Sequence, residues 1–535
     1  MEEKEDNELE LDTFLHQLHF ETDKIFPPDW EVDWGDAPLP YKLYRGLPTI
    51  PLSAEVPLTI EKKKEDQNPS LEELGHYLWY VYGVTQYSQS PVMDGTEDKS
   101  AKFTQSLRRF VPSGGALYPN ELYVYLKLDH VPEGIYHYDA AHHRLVLLRE
   151  GNYDIYLSRS LENGLPVSDC FCIAFVSTVF WKNFYKYNNF SYRLQGLDAG
   201  VVIGQSLEVA DRMGFFTRVC YQFLDRSINH LLGLSEQEES VYAVIPLSMK
   251  SSITCIDNVQ KREEMVAASD LCQEVPVLHH VSYNRSKNVI DSPMLKKLNE
   301  VSMFETTKSF VKLKNNNCEK LALDREMFLL PVTKSLSYDL ASVCRERYSP
   351  DSDFMLGEVR QTQLATLLKE TFSFSYYNDL DDTEGKVETR VSLYGSFYNV
   401  EGIPNGAYSY DNGTHALRRI TAGDYREFLQ SGLTIPNVNM YQVPLCMHLV
   451  GDKGHLKERL GYRGYRIQQM EAGILVQRLL LVSCALGMGG HPLLGFDANQ
   501  CDDLYRIDLK GKTSLIQIPV GPYRPRAWLK GRLLS

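Results

Sequence analysis

Two hydrophobic periods run along this chain. Alternating positions in ELYVYLKL (121–128) and the near-continuous apolar runs CFCIAFVSTVF (170–180) and VYAVIPL (241–247) predict strands. The same signals return in RVSLYGSFY (390–398), PLCMHLV (444–450) and SLIQIPVG (514–521). A helical period sits in LEELGHYLWYVYG (71–83), in QLATLLKETF (363–372), and in two long segments that begin at Tyr192 and Tyr465. Each half therefore predicts an α+β unit, a central mixed sheet with helices packed on it.

The halves are also alike residue by residue. GIYHYDAAHHRLVLLREGNY (134–153) aligns without a gap with GAYSYDNGTHALRRITAGDY (406–425), with 8 identities in 20 positions at an offset of 272. YRLQGLDAGVVIGQSLEVADRMG (192–214) aligns with YRIQQMEAGILVQRLLLVSCALG (465–487), with another 8 in 23 at an offset of 273. Order and spacing are both kept, which points to an internal duplication rather than to two unrelated domains of similar composition. The expected division is a leader over 1–65, a first domain over 66–250, a polar linker region over 251–340 and a second domain over 341–535. The leader is rich in proline and aromatic residues from Ile25 to Leu52 and is expected to wrap the surface as extended chain, pinned by Trp30, Trp34 and Tyr44.

Composition narrows the picture. At 535 residues the chain is too long for a single core, and 43% hydrophobic content fits a folded protein. A formal charge of −14 argues against a general nucleic-acid binder. The acidic start MEEKEDNELELD is unlike a secretion signal, and the longest apolar tract carries Gln468, Glu471 and Arg478, so neither export nor a membrane span is expected. Ten scattered cysteines without CxxC pairs read as reduced thiols in a cytoplasmic protein. The adjacent histidines at 142–143 and 279–280 match no metal spacing, so no metal site is expected.

Candidate chemistry lies where the halves differ. Pro112, Ser113, Gly114 and Gly115 form a loop of little side-chain bulk that lets a flat ligand approach backbone amides; the matching stretch DLDDTEGKVET of the second half has no such loop. Lys186 and Tyr187 offer two proton-transfer groups, each with an ordinary pKa of about 10, while the equivalent positions are Arg459 and Leu460. A surface lysine beside a packed tyrosine is the plain alternative. The second half alone has Arg347 and Ser349 at its start and Arg524 and Arg526 near its end; on extended chain the last two face the same side and suit one phosphate dianion, though an isolated RPR is commonly a solvated surface charge. Gly495 stands in a turn where the first half has Gln222. Tyr192 and Arg193 recur as Tyr465 and Arg466, so they belong to the shared fold.

With these motifs together, LEELGHYLWYVYGVTQY, RRFVPSGGALYPNELYVYL, GIYHYD, KYNNFSYR with LDAG, and HLLGL, the chain resembles the SagB-type (McbC-like) azoline dehydrogenases of the nitroreductase-like FMN flavoprotein superfamily. The resemblance covers most of 10–250 and returns more faintly from about 340 to 526. It implies tandem nitroreductase-like domains forming an intrachain pseudo-dimer. One FMN would draw phosphate contacts from Arg347, Ser349, Arg524 and Arg526, ring contacts from Gly495, and Pro112 to Gly115 from the other half, leaving a degenerate second site. It further implies that Lys186 and Tyr187 are catalytic in oxidising thiazoline or oxazoline rings of a modified precursor peptide, beside a cyclodehydratase, with either residue as the base. The alternatives are a generic NAD(P)H-dependent FMN nitroreductase and a non-catalytic scaffold subunit of a cyclodehydratase complex.

Overall fold

The structure, a computed structural model, describes residues 2–60, 69–92, 102–161, 165–254, 265–313, 326–373, 376–381, 390–525 and 529–532. The elements that position the site are helices α1 (Glu2–Phe20), α2 (Leu71–Tyr82), α3 (Trp181–Tyr187), α4 (Ser191–Met213), α5 (Gln361–Phe372) and α6 (Arg463–Ala485). Local chemistry sets their ends. Ser70 and Glu73 form a reciprocal capping box at the start of α2, and α4 stops at Gly214, whose φ of 77° suits the left-handed cap.

The duplication is visible in the sheets. The first is ordered Thr49–Pro51, Arg144–Glu150, Gly134–Asp139, Asn120–Leu126, Cys170–Val179, Glu239–Ser248, Phe216–Val219, and then Tyr377–Asn378. The second repeats the order with Met327–Leu329, Ala416–Ala422, Gly406–Asp411, Ser392–Phe397, Leu445–Asp452, Lys512–Gly521 and Gly489–Gly490. Pairing is antiparallel except for Tyr377–Asn378, a second-half segment that adds in parallel to the edge of the first sheet. In return, Leu529–Arg532 from the C-terminus pairs with Gln86–Val92. The chain is thus two tandem α+β units with flanking helices, the first sheet mixed and the second antiparallel.

The long helices α4 and α6 meet at the centre as an isologous contact, each packing against its own counterpart. Tyr192 stacks on Tyr465 with centroids 5.7 Å apart, and Gln477 donates to Gln205 at 2.7 Å. Glycine permits this close crossing: a Cβ on Gly200 would run into the Met470 carbonyl, and one on Gly473 into that of Leu197.

Two expectations change. Residues 2–20 are helical, not extended: Leu11, Phe14, Leu15 and Leu18 recur at helical spacing and are buried, and Lys457 and Thr513 fix the helix through Asp12 and His19. The expected domain limits at 65 and 340 also cut through the sheets, because Thr49–Pro51 and Met327–Leu329 are their matching edge strands. Trp30 and Tyr44 do pack on the body, whereas Trp34 stays 60% exposed. No described helix is long and apolar enough to cross a membrane.

Candidate active site

The Pro-Ser-Gly-Gly loop is held from below by α4. Asp198, on the buried face of that helix, accepts from the Ser113 hydroxyl at 2.7 Å and from the Gly114 N–H at 3.2 Å. The Ser113 oxygen in turn accepts from the Tyr118 N–H at 2.9 Å, so its proton and one of its lone pairs are committed inside the loop. Neither the Ser113 hydroxyl nor the Gly114 amide points outward, which narrows the open backbone expected of this loop. Burial pushes the Asp198 carboxyl up to about 7, against the two donated hydrogen bonds.

Helix α3 closes on the same loop from the side. Gly115 adopts φ 63°, and a Cβ built there would lie 2.6 Å from the Tyr187 hydroxyl and 2.9 Å from Lys186 Nζ. The conformation and the space both demand glycine. Lys182, one turn earlier, is buried, paired with Glu121, and donates to the Tyr118 carbonyl at 3.3 Å. Lys186 is different: among the described residues no carboxylate meets its ammonium, which lies 5.4 Å from the Trp34 ring centroid and 4.9 Å from that of Tyr187. Burial lowers the Lys186 pKa and, with the charge of Asp198, raises that of Tyr187.

The second half reaches this loop through Arg347. Its Nε donates to the Phe110 carbonyl at 2.9 Å and its Nη1 to Ser349 Oγ at 3.4 Å. The segment after Ser349 is laced to the C-terminal strand, with Arg524 N–H on the Asp353 carbonyl and Met355 N–H on the Pro522 carbonyl, both at 2.9 Å. Arg524 thus stands beside the Arg347 segment, exposed, with its Nε 3.2 Å from Met355 Sδ. Among the described residues neither guanidinium is paired with a carboxylate, and burial lowers the pKa of Arg347. Arg347 and Arg524 thus lie on hydrogen-bonded neighbouring segments. Arg526 lies outside the described residues.

Gly495 joins the same strand system through Leu493, which donates to the Gln517 carbonyl at 2.7 Å. A Cβ there would meet Thr434 at an ordinary 3.4 Å, so the protein itself does not require glycine at this turn. The sequence reading missed Asp198 as a site residue. Its signal was an acid on an otherwise apolar helix face, repeated as Glu471.

The pseudo-equivalent place at the other end is filled by protein. Gln222, the counterpart of Gly495, donates to the carbonyls of Val311 and Asp379 at 3.0 and 3.1 Å and accepts from the Val311 N–H at 2.7 Å. The Asp379 carboxylate takes the N–H groups of Tyr221 and Gln222 at 2.9 and 2.7 Å. Arg459, the counterpart of Lys186, is tied to the Lys312 carbonyl at 3.0 Å. Arg463 and Arg466 both grip the buried Asp225.

The architecture is that of a nitroreductase: over 96% of this chain and 99% of the other, it superposes on a putative nitroreductase from Anabaena variabilis with a TM-score of 0.69 and 20% identity. Among curated proteins it is similar to the trifolitoxin-processing protein TfxB of Rhizobium leguminosarum bv. trifolii, 31% identical over 142 residues, which amount to 25% of this chain and 38% of that relative. A chain of the Escherichia coli microcin synthetase McbBCD complex aligns over 34% of this chain and 65% of its own length, with 22% identity and a TM-score of 0.28. No family model matches the chain.

Proposed function

We propose that this protein is an FMN-dependent dehydrogenase that oxidises thiazoline or oxazoline rings in a ribosomally made peptide to the aromatic azoles, alongside a cyclodehydratase. The observation that carries the reading is the convergence of Lys186 Nζ and Tyr187 OH on Gly115, beside a loop that Arg347 of the other half also holds. The similarity to a protein named for processing trifolitoxin supports a role in processing of that kind.

Arg347, Ser349 and Arg524 suit the FMN phosphate, and Gly115 gives a flat ring access to the backbone; Arg526 and Gly495 complete the proposed set. Bound FMN would supply the acceptor for the hydride that leaves the azoline ring. The proton lost from the neighbouring ring carbon goes to Lys186 Nζ, because burial favours the neutral amine. Tyr187, whose phenol keeps its proton, orients the ring by donating a hydrogen bond. Trp30, edge-on to Phe184 at 5.9 Å, helps keep water from the base of α3.

The test is direct. Purified protein loaded with FMN is incubated with a synthetic peptide carrying one thiazoline, and mass spectrometry reads the loss of two hydrogens. A flavin-loaded protein that leaves the ring unchanged would overturn the reading. A protein that takes up no FMN would instead point to a scaffold.

A further inference from the structure

The leader supplies a residue that nothing in the sequence motifs marks as functional. Trp34 sits in a short turn whose entry is capped by Asp33, which accepts from the N–H groups of Gly35 and Asp36 at 2.9 and 3.3 Å. That turn is bolted to α3. The Asp36 carboxylate takes the N–H groups of Lys287 and Asn288 at 2.7 and 2.8 Å, and its carbonyl takes the Ser286 hydroxyl at 2.7 Å. Ser286 Oγ then accepts from Trp181 Nε1, at the first residue of α3, at 2.9 Å. Farther along the same helix, Trp30 Nε1 reaches the Lys186 carbonyl at 3.4 Å, and Trp34 stands edge-on to Tyr185 with centroids 6.1 Å apart. Leader and linker thus brace the helix that carries Lys186.

The result is a lysine nitrogen between aromatic rings, an amine before it takes the ring proton and an ammonium after it. Lys186 Nζ has Tyr187 on the inner side at 4.9 Å, Trp34 on the outer side at 5.4 Å, and Gly115 beside it. A lysine tail on its own samples many rotamers, and ring faces restrict it without a carboxylate that would fix its proton. A single exposed tryptophan needs no explanation by itself; one held over a candidate base by a relay of hydrogen bonds does.

We infer that Trp34 is a positioning residue of this site: its ring fixes the Lys186 amine over Gly115, and its open face is the outer wall against which the azoline-bearing peptide lies. This rests on the proposed function in assigning Lys186 its role. The test compares Trp34→Leu, which keeps apolar bulk without a π face, with Trp34→Phe, both in the full FMN-loaded chain and with a synthetic one-thiazoline peptide as probe. Expected is a fall in kcat/KM of about tenfold for leucine, most of it recovered by phenylalanine, with the flavin spectrum unchanged. A second readout does not depend on turnover: brief acetylation with acetic anhydride, quantified at Lys186 by peptide mass spectrometry, is expected to rise severalfold in the leucine variant and to stay near wild type in the phenylalanine variant. Wild-type labelling and turnover in both variants would overturn the inference. If the wild-type protein binds FMN but oxidises no azoline, the proposed function falls, while Lys186 labelling still decides whether Trp34 positions the amine.

Discussion

At one end of the pseudo-dimer Asp198 faces a hydroxyl and an amide; at the other, Glu471, its counterpart in the repeat, faces the guanidinium of Arg390 at 2.8 Å. The same helix position anchors the loop before the same strand in both halves. In the first half the anchor is met only by the loop's own Ser113 hydroxyl and Gly114 amide, beside Gly115, Lys186 and Tyr187. In the second half it is an ion pair with Arg390, which also binds Asp381 of the segment 376–381. Duplication supplies two equal frames, and a few polar substitutions set their two ends apart.

That contrast can be broken most severely at the proposed proton-transfer pair. Lys186→Ala is expected to cut azoline oxidation by at least about a hundredfold while keeping FMN, read by mass spectrometry and flavin absorbance; Arg459→Ala, its counterpart, is expected to leave the rate unchanged. Next comes Gly115→Ala. The added Cβ meets the Tyr187 hydroxyl at 2.6 Å at a φ of 63°, so a rate loss on the order of tenfold or more is expected, with a backbone cost of about 1 kcal/mol.

The phosphate side tests the two ends against each other. Arg347→Ala is expected to weaken FMN binding about tenfold or more, because a charged hydrogen-bond donor is lost, as measured by flavin fluorescence titration. Arg390→Ala is expected to leave FMN affinity alone and to lower thermal stability, since it strands the buried Glu471.

Much of this was legible in the chain. The strand runs, α2, α4, α5 and α6 follow from their periods, and the offset of 272 to 273 already gives both sheets the same order. Helix α1 was legible in principle from Leu11, Phe14, Leu15 and Leu18, but the surrounding acids hide the stripe. The pairing of Arg347 with the Phe110 carbonyl, and the filling of the second site by Val311 and Asp379, were not. Both join residues more than 80 positions apart through backbone groups, which carry no sequence signature.

A last contrast concerns pH and stability rather than turnover. Burial raises the folded-state pKa of Asp198 to about 7, well above the unfolded value of about 3.9. The folded protein therefore holds this proton where the unfolded chain has released it, and the contribution of Asp198 to stability falls as pH rises from about 4 to about 7. Asp198→Asn has no such proton to release. The difference in Tm between variant and wild type is expected to shift in the variant's favour across this window, and a difference that stays flat would contradict the assignment.

The central claim, one open site and one filled site in a single chain, is tested most directly by FMN stoichiometry. Titration of the apoprotein with FMN, checked by mass analysis of the native complex, is predicted to saturate at one flavin per chain, with Arg347→Ala weakening it and Gln222→Gly adding no second. Two flavins per chain, or one that is insensitive to Arg347 and lost on changing Gln222, would contradict the account.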